Sequence, residues 1–521
     1  MALLNRWQKP REVATGPGLA RPLDDVCLIV EGTYPYVAGG VSGWTHDLIR
    51  SLPELTFHLL AVLPPKADLA MRYKLPPNVS GVTNLFLDLT SNRFRRPCRD
   101  DKDLFARLEA GIEQFQEEGG LSHLNTILTT LAPCRERLSG QYLLNSKLGW
   151  QMALNLYEKF LPGGPFLDFF WTWRFVAGNL MTILLGPLPR ARVYHAVSTG
   201  YAGLYLARAR LETGRPVLVT EHGIYTNERR IEITMADWLY EKPRNSLQVE
   251  KSDRDVKGIW IKAFQAYSLA CYQASERIIT LYTGNQNFQK ADGADPARMS
   301  IIPNGIDWQP FANLASDRGS RPPTIALIGR VVPIKDIKSF IRACGMVRRA
   351  VPEAKALIMG PLEEDKGYYN ECRDLIQHQG LEEMITFTGR VKLTEYLGQI
   401  DVNVLTSISE GQPLVILEAG AAGVPSVSTD VGGCREMILG APTEDPPLGP
   451  GGAVTPVSNP AETAKALVEL LINPAWHAQC AAAIRERIKR YYDLADLKKA
   501  YQDIYDDLRR RPDAPLGSET Y

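Results

Sequence analysis

The sequence predicts an α/β protein built from two doubly wound parallel sheets, and three observations carry that expectation. Short β-branched runs recur along the chain, separated by longer stretches of helical periodicity, which is the pattern of βα units. The runs fall into two series, at 25–31, 57–63, 82–87, 193–197, 217–220 and 278–282, then at 324–328, 356–359, 385–388, 402–405 and 426–428. Between the series lies a polar, breaker-rich stretch, 306–323, containing Asp307, Pro310, Asp317, Gly319, Pro322 and Pro323.

Taken in order, residues 1–22 carry Arg and Lys but no continuous apolar segment, so they read as a flexible leader rather than a secretory signal. An amino-terminal domain is expected over 23–307, interrupted by a mostly helical insertion at about 100–188. Within it, 166–189 is rich in Phe, Trp, Leu and Ile, but Asp168 and Arg174 interrupt the run. The uncharged remainder, about 15 residues, is shorter than the roughly 18 to 20 a membrane span needs, which favours a buried helix. A linker follows at 308–323, then a carboxyl-terminal domain over 324–483. The stretch 440–460 is rich in Gly and Pro, with 453–455 as its one candidate strand. An intermittent apolar stripe of Ile488, Tyr491, Tyr492, Leu497, Tyr501 and Tyr505 predicts a single terminal helix and tail over 484–521.

Composition narrows the function. Lys+Arg and Asp+Glu both number 59 in 521 residues, a formal net charge of +0, so no global field draws the chain to nucleic acid or to an anionic membrane. With 45% hydrophobic and 23% charged residues it is an ordinary globular chain. Its eight cysteines are scattered without zinc spacing, which fits reduced thiols in a cytoplasm and predicts no metal site.

Two doubly wound domains leave a cleft outside the carboxyl ends of their strands, where ligands of such sheets bind. Gly329-Arg330 ends one strand there and Lys335 precedes a helix, placing two cations where a helix amino terminus already favours an anion. In the next such loop, Ser407 to Gly420, Pro413 suits a first helical turn, so the N–H groups of Gln412, Leu414 and Val415 can serve phosphate or sugar oxygens. Glu410 and Glu418 stand eight residues apart at different depths, and Glu418 lies in an otherwise apolar run, LVILEAGAAGVP, where an unpaired carboxylate is costly. In the amino half, His195 ends one strand and His222 follows the next, which predicts that both face the cleft mouth. Glu221, Tyr225, Asn227, Glu228 and Arg229 form a polar run beside them that could line an acceptor site or simply cap a loop.

Gly329-Arg330 with Lys335, the Glu410-x7-Glu418 pair and Asn304-Gly305-Ile306-Asp307 together resemble the GT-B retaining glycosyltransferases of family four. Gly39-Gly40 after the first strand, Gly389-Arg390-Val391 and Asp430-Val-Gly432-Gly433-Cys-Arg-Glu436 extend the resemblance over roughly 25–470. VEGTYPYVAGGVSGW, TEHGIYTNERR and SISEGQPLVILEAGAAGVPSV are most similar to the cytoplasmic glycosyltransferases of Pel exopolysaccharide synthesis, the PelF type. The resemblance implies two Rossmann-like domains facing a central cleft, and a UDP-sugar donor, UDP-glucose first, with no further cofactor. It also implies a polysaccharide acceptor, and action in biofilm matrix synthesis beside an inner-membrane Pel synthase complex regulated by cyclic di-GMP. Carried over by residue, it implies that Arg330 and Lys335 bind the donor diphosphate, Glu418 the ribose hydroxyls and Glu410 the donor sugar. Arg390 and the backbone of Val391 would lie beside the base, Gly39 and Gly40 would admit the diphosphate or acceptor, and His195 or His222 would meet the reacting sugar. Relatives often carry His-x-His at the first histidine, where this chain has Val197 in the second place. Two other functions fit the same cleft: a nucleotide-sugar epimerase, and a non-catalytic nucleotide-sugar-binding subunit of a polysaccharide synthase.

Overall fold

A computed structural model describes residues 23–88, 101–235, 255–314 and 321–511. Two all-parallel sheets organise them. The first holds β1 (Asp24–Glu31), β2 (Phe57–Leu63), β3 (Val79–Phe86), β4 (Ala191–Ala196), β5 (Val217–Glu221), β6 (Arg277–Thr280) and β7 (Met299–Ile301), in the order β3-β2-β1-β4-β5-β6-β7. The second holds β8 (Thr324–Ile328), β9 (Lys355–Met359), β10 (Ile385–Gly389), β11 (Val402–Leu405), β12 (Ser426–Thr429) and β13 (Gly452–Thr455), in the order β10-β9-β8-β11-β12-β13. Central strands such as β1 and β11 are buried on both faces because helices cover both, and the one polar residue inside β11, Asn403, donates to the Ser426 hydroxyl of β12. Each sheet reverses its winding at one point, between β1 and β4 and between β8 and β11, and loops at those points diverge to leave a binding crevice. The fold is the GT-B arrangement of two α/β domains.

The stretch between β3 and β4 contributes helices Asp101–Glu118, Leu121–Leu131, Gly140–Asn145, Lys147–Phe160 and Phe166–Leu185. Ser139 and Ser146 cap two of them by accepting the amides of Tyr142 and Gly149. Helix Phe166–Leu185 buries twelve of its residues in the amino-domain core, while Asp168 is exposed and Arg174 donates to Asn145. No helix among the described residues is long and apolar enough to cross a membrane. Leu167, Trp171 and Phe175 remain exposed on its outer face.

Three features differ from the sequence expectations. Strand β7 is only three residues at a sheet edge, too short to show a periodic signal. The breaker-rich stretch after 306 includes a four-residue helix, Gln309–Ala312. The terminal stripe is two helices, not one: Pro474–Tyr491 ends at Tyr492, and Leu494–Arg510 crosses back to the amino-terminal domain. There Leu497, Tyr501, Tyr505 and Leu508 bury themselves in the core formed by residues of β1, β2, β4 and β5. Asp493 caps the second helix through the Ala495 amide, so the helical run restarts after a deliberate break.

The two crossings between domains are pinned side by side. Ile306 N–H donates to the Tyr492 carbonyl at 2.9 Å, Leu494 N–H donates to the Ile306 carbonyl at 3.1 Å, and Trp308 Nε1 donates to Asp493 at 2.9 Å. A Cβ on Gly305 would lie 2.8 Å from the Asp493 carbonyl oxygen, so this close approach requires glycine.

Candidate active site

The carboxyl ends of β8 and β11 bring the strongest candidates together. Lys335 closes a short turn after β8, and Asp336, in the left-handed region at φ 41°, caps helix Ile337–Ala350. The Lys335 stem passes Gly329, where a Cβ would lie 3.6 Å from its Cε. Its ammonium meets Glu410 Oε1 at 2.5 Å, and the Ser407 hydroxyl donates to the same oxygen. Thr406 Oγ1 donates to the Lys335 carbonyl and Ile408 N–H to the Ile334 carbonyl, so the loops after β8 and β11 form one rigid unit. Both members of the ion pair are mostly covered, at 19% and 11% side-chain exposure, so their charges act in a weakened solvent screen.

Helix Leu414–Ala421 begins after Pro413 with no side-chain cap. The amides of Leu414 and Val415 lie in its first turn, where no intrahelical acceptor exists. Further along, no described residue hydrogen-bonds to the Glu418 carboxylate, and burial alone pushes its carboxyl up to about 7. Gly432, at φ +55°, packs so closely on this loop that a Cβ would lie 2.2 Å from the Glu410 carbonyl oxygen.

Other candidates lie differently. Arg330 is 57% exposed and turns to Glu364 at 3.1 Å rather than joining the Lys335–Glu410 pair. Arg390 is exposed at the end of β10, whereas Val391 packs against the apolar cluster that includes Ala419, next to Glu418 on its helix. The Gln412 side chain is buried, and its Oε1 accepts the Asn304 amide across the domains, which leaves only its backbone N–H for the role expected of it. Gly39 and Gly40 stand exposed at the start of helix Gly40–Ser51, and a Cβ on either would meet no protein atom within 4 Å. Protein packing therefore does not demand glycine there.

The two histidines separate. The expectation that both face the cleft mouth fails for His195, which is 0% exposed. Its Nδ1 pairs with the Tyr505 hydroxyl at 2.6 Å and its Nε2 with Thr220 Oγ1 at 2.8 Å, and burial lowers its pKa to about 3. A strand-end position said nothing of the terminal helix that closes over it, so His195 is a core hydrogen-bonder that does not reach the cleft mouth. His222 lies at the seam instead, its carbonyl oxygen 2.7 Å from where a Cβ of Gly411 would be. Its ring meets Trp44 edge-on at 4.6 Å, burial lowers its pKa to about 4, and its Nε2 has no partner among the described residues.

The polar run after β5 is also mostly structural. Glu221 is fully buried and accepts from Thr199, Tyr272 and Gln289 at 2.9, 2.6 and 2.9 Å, which satisfies it without a ligand. Tyr225 donates to Glu31 at 2.5 Å, and Arg229 stacks over the Tyr225 ring. Glu31 escaped the sequence reading, although an acid closing the apolar run VCLIV is a detectable signal. Burial raises its pKa against the opposing pull of Tyr225 and the Ala202 amide.

The chain's similarity to known proteins follows the same two halves. A family described as a domain of unknown function (DUF3492) matches residues 24–297, more than half the chain, and one described as glycosyl transferases group 1 matches residues 322–473. The chain belongs to the DUF3492 family, and its carboxyl-terminal domain is similar to the group 1 glycosyltransferases. It is 28% identical over 220 residues to the D-inositol 3-phosphate glycosyltransferase of Kineococcus radiotolerans, covering 38% of this chain and 49% of that protein. It is 28% identical over 257 residues to glycogen synthase of Mycobacterium tuberculosis, covering 48% of this chain and 58% of that enzyme. The chain thus spans about half the length of these curated relatives. Among solved structures, sucrose-phosphate synthase from Thermosynechococcus elongatus superposes with a TM-score of 0.55 at 16% identity, over 92% of this chain and 98% of that one. Anabaena HepE in complex with UDP superposes with a TM-score of 0.56 at 14% identity, over 92% of this chain and 100% of that one. At these identities the chain shares its fold with both.

Proposed function

We propose that this chain is a retaining glycosyltransferase that transfers a sugar, glucose first among candidates, from a UDP-sugar to a growing polysaccharide in Pel-type exopolysaccharide synthesis. The observation that carries the reading is Glu418: a carboxylate in an apolar helix, covered enough to raise its pKa to about 7, with no partner among the described residues. A vicinal diol such as that of ribose supplies the two hydroxyl donors it lacks. Lys335, with the first-turn amides of Leu414 and Val415 that have no partner among the described residues, suits a diphosphate. HepE has been solved with UDP and with UDP-glucose, which supports that donor on the shared fold.

In this mechanism the C1–O bond to the diphosphate breaks as positive charge develops at C1. Lys335 and the helix terminus stabilise the negative charge gathering on the leaving phosphate, and the acceptor hydroxyl attacks C1 from the same face, giving its proton to the departing diphosphate oxygen as the new C1–O bond forms. Glu410, held by Lys335 and Ser407, is placed to accept from a donor-sugar hydroxyl when Lys335 turns to the phosphate. Arg330, exposed just past the end of β8, joins the diphosphate by leaving Glu364. His222, neutral at pH 7 because of burial, offers its unpartnered nitrogen to the sugar as a hydrogen-bonding group rather than as a cation. Arg390 and the Val391 backbone border the base, and Gly39 and Gly40 leave open space on the opposite lip of the cleft.

The test is incubation with UDP-glucose and an oligosaccharide acceptor, with the product's anomeric configuration read by proton NMR. An α-linked product from the α-configured donor is expected, and Lys335→Ala should lower kcat/KM about 10²- to 10³-fold. Epimerised free sugar without acceptor would identify an epimerase, and UDP binding without turnover would identify a non-catalytic subunit of a synthase.

A further inference from the structure

A single carboxylate joins the two halves of the cleft. Glu436, in helix Cys434–Leu439 of the carboxyl-terminal domain, accepts the Thr283 N–H at 2.9 and 3.2 Å through its two oxygens and the Thr283 hydroxyl at 3.2 Å. Thr283 is the first residue of helix Thr283–Ala291 in the amino-terminal domain, and the residue before it, Tyr282, supplies no side-chain cap. The first-turn donor of that helix is thus satisfied from the other domain, by a charge of the sign its amino terminus favours.

Glu436 is also mechanically tied to the donor loop. Gly433 N–H donates to the Gly411 carbonyl at 2.7 Å, and Gly432 packs on the carbonyl oxygens of Glu410 and Gly411. On the same seam, Gly433 lies against the Tyr282 ring, Gly411 against the His222 carbonyl, and Gln412 holds the Asn304 amide at 2.5 Å. The segment 410–412 and the segment 432–436 therefore move as one piece, and its polar grip on the helix opposite is the Glu436–Thr283 pair.

We propose that Glu436 is a positioning residue, a latch that closes the carboxyl-terminal domain onto Thr283 and so fixes the Lys335–Glu410 loop against His222. The geometry of the latch stands by itself, whereas its effect on sugar transfer rests on the donor-site reading given above. A helix cap that only stabilised its own domain would leave closure and donor affinity untouched. A latch between domains sets both, because an open cleft neither orders the donor nor excludes water.

The experiment compares full-length wild type with Glu436→Ala, Glu436→Gln and Thr283→Ala, using amide exchange at Thr283, small-angle scattering, and UDP-glucose kinetics. Glu436→Ala is expected to speed exchange of the Thr283 amide about tenfold or more, enlarge the radius of gyration, and raise the UDP-glucose KM about tenfold with a smaller change in kcat. It should also increase donor hydrolysis relative to transfer. Glu436→Gln, which keeps an acceptor oxygen, should recover part of each effect, and Thr283→Ala should fall between. A folded Glu436→Ala protein with the scattering curve and KM of wild type would overturn the proposal. Should that variant fail to fold, wild-type scattering and exchange in both Glu436→Gln and Thr283→Ala would overturn it instead. If wild type turns over no UDP-sugar, the donor-site reading fails while exchange and scattering still decide the latch.

Discussion

Glu418 concentrates the chemistry of the proposed donor site in one protonation equilibrium. Its carboxyl, ordinarily near 4.5, is pushed up to about 7 by burial, so near neutral pH it is divided between a neutral and a charged form. Only the charged form accepts two hydroxyl donors without offering a proton of its own. Affinity for UDP-glucose, whose diester phosphates do not titrate in this range, is therefore expected to rise with pH through about 7 and then level. Glu418→Gln should abolish that step, and calorimetric titration between pH 5.5 and 8.5 checks it. The sign for folding is the reverse: between about 4.5 and 7 the native state holds a proton the unfolded chain has released, so this group's contribution to stability falls as pH rises. Its candidacy was legible because an acid in an apolar run needs a reason. His195 was misread because a strand-end histidine points at the cleft or at a covering helix according to a segment 310 residues away.

At the scale of elements, helix Leu494–Arg510 matters most. It leaves the carboxyl-terminal domain and completes the amino-terminal core, with Tyr505 bonded to His195 and Tyr501 to Thr220 at 2.9 Å. Tyr505→Phe removes one buried hydrogen bond and leaves the His195 ring nitrogen without a protein partner. A loss of about 1–3 kcal/mol is expected, read as a lower denaturant midpoint at unchanged slope. An unchanged midpoint would mean that the hydroxyl contributes nothing to the core. The apolar stripe announced a helix here, but not that Tyr492 and Asp493 divide it, nor which domain it would cover. Aromatic spacing records that a face is buried and is silent about the surface that buries it. The opposite held for the sheets, where period and length were local signals: the central strands were readable from their own residues, and only the three-residue edge strand β7 escaped.

At the scale of the molecule, the cleft is bounded by loops that were individually readable and a seam that was not. Lys335, Glu410 and Glu418 carry their chemistry in residue type and position, so their candidacy could be argued from the sequence. The partners that fasten the domains, Gln412 to Asn304 and Glu436 to Thr283, lie more than a hundred residues apart and leave no local pattern. The proposed function places a uridine diphosphate site, built on Lys335 and Glu418, on the carboxyl-terminal side of this cleft. Calorimetric titration with UDP, GDP and ADP, repeated on Lys335→Ala and Glu418→Ala, tests it most directly. UDP is expected to bind in preference to the other two, weakened about tenfold or more in each variant. Equal binding of all three, or undiminished UDP binding by both folded variants, would contradict it.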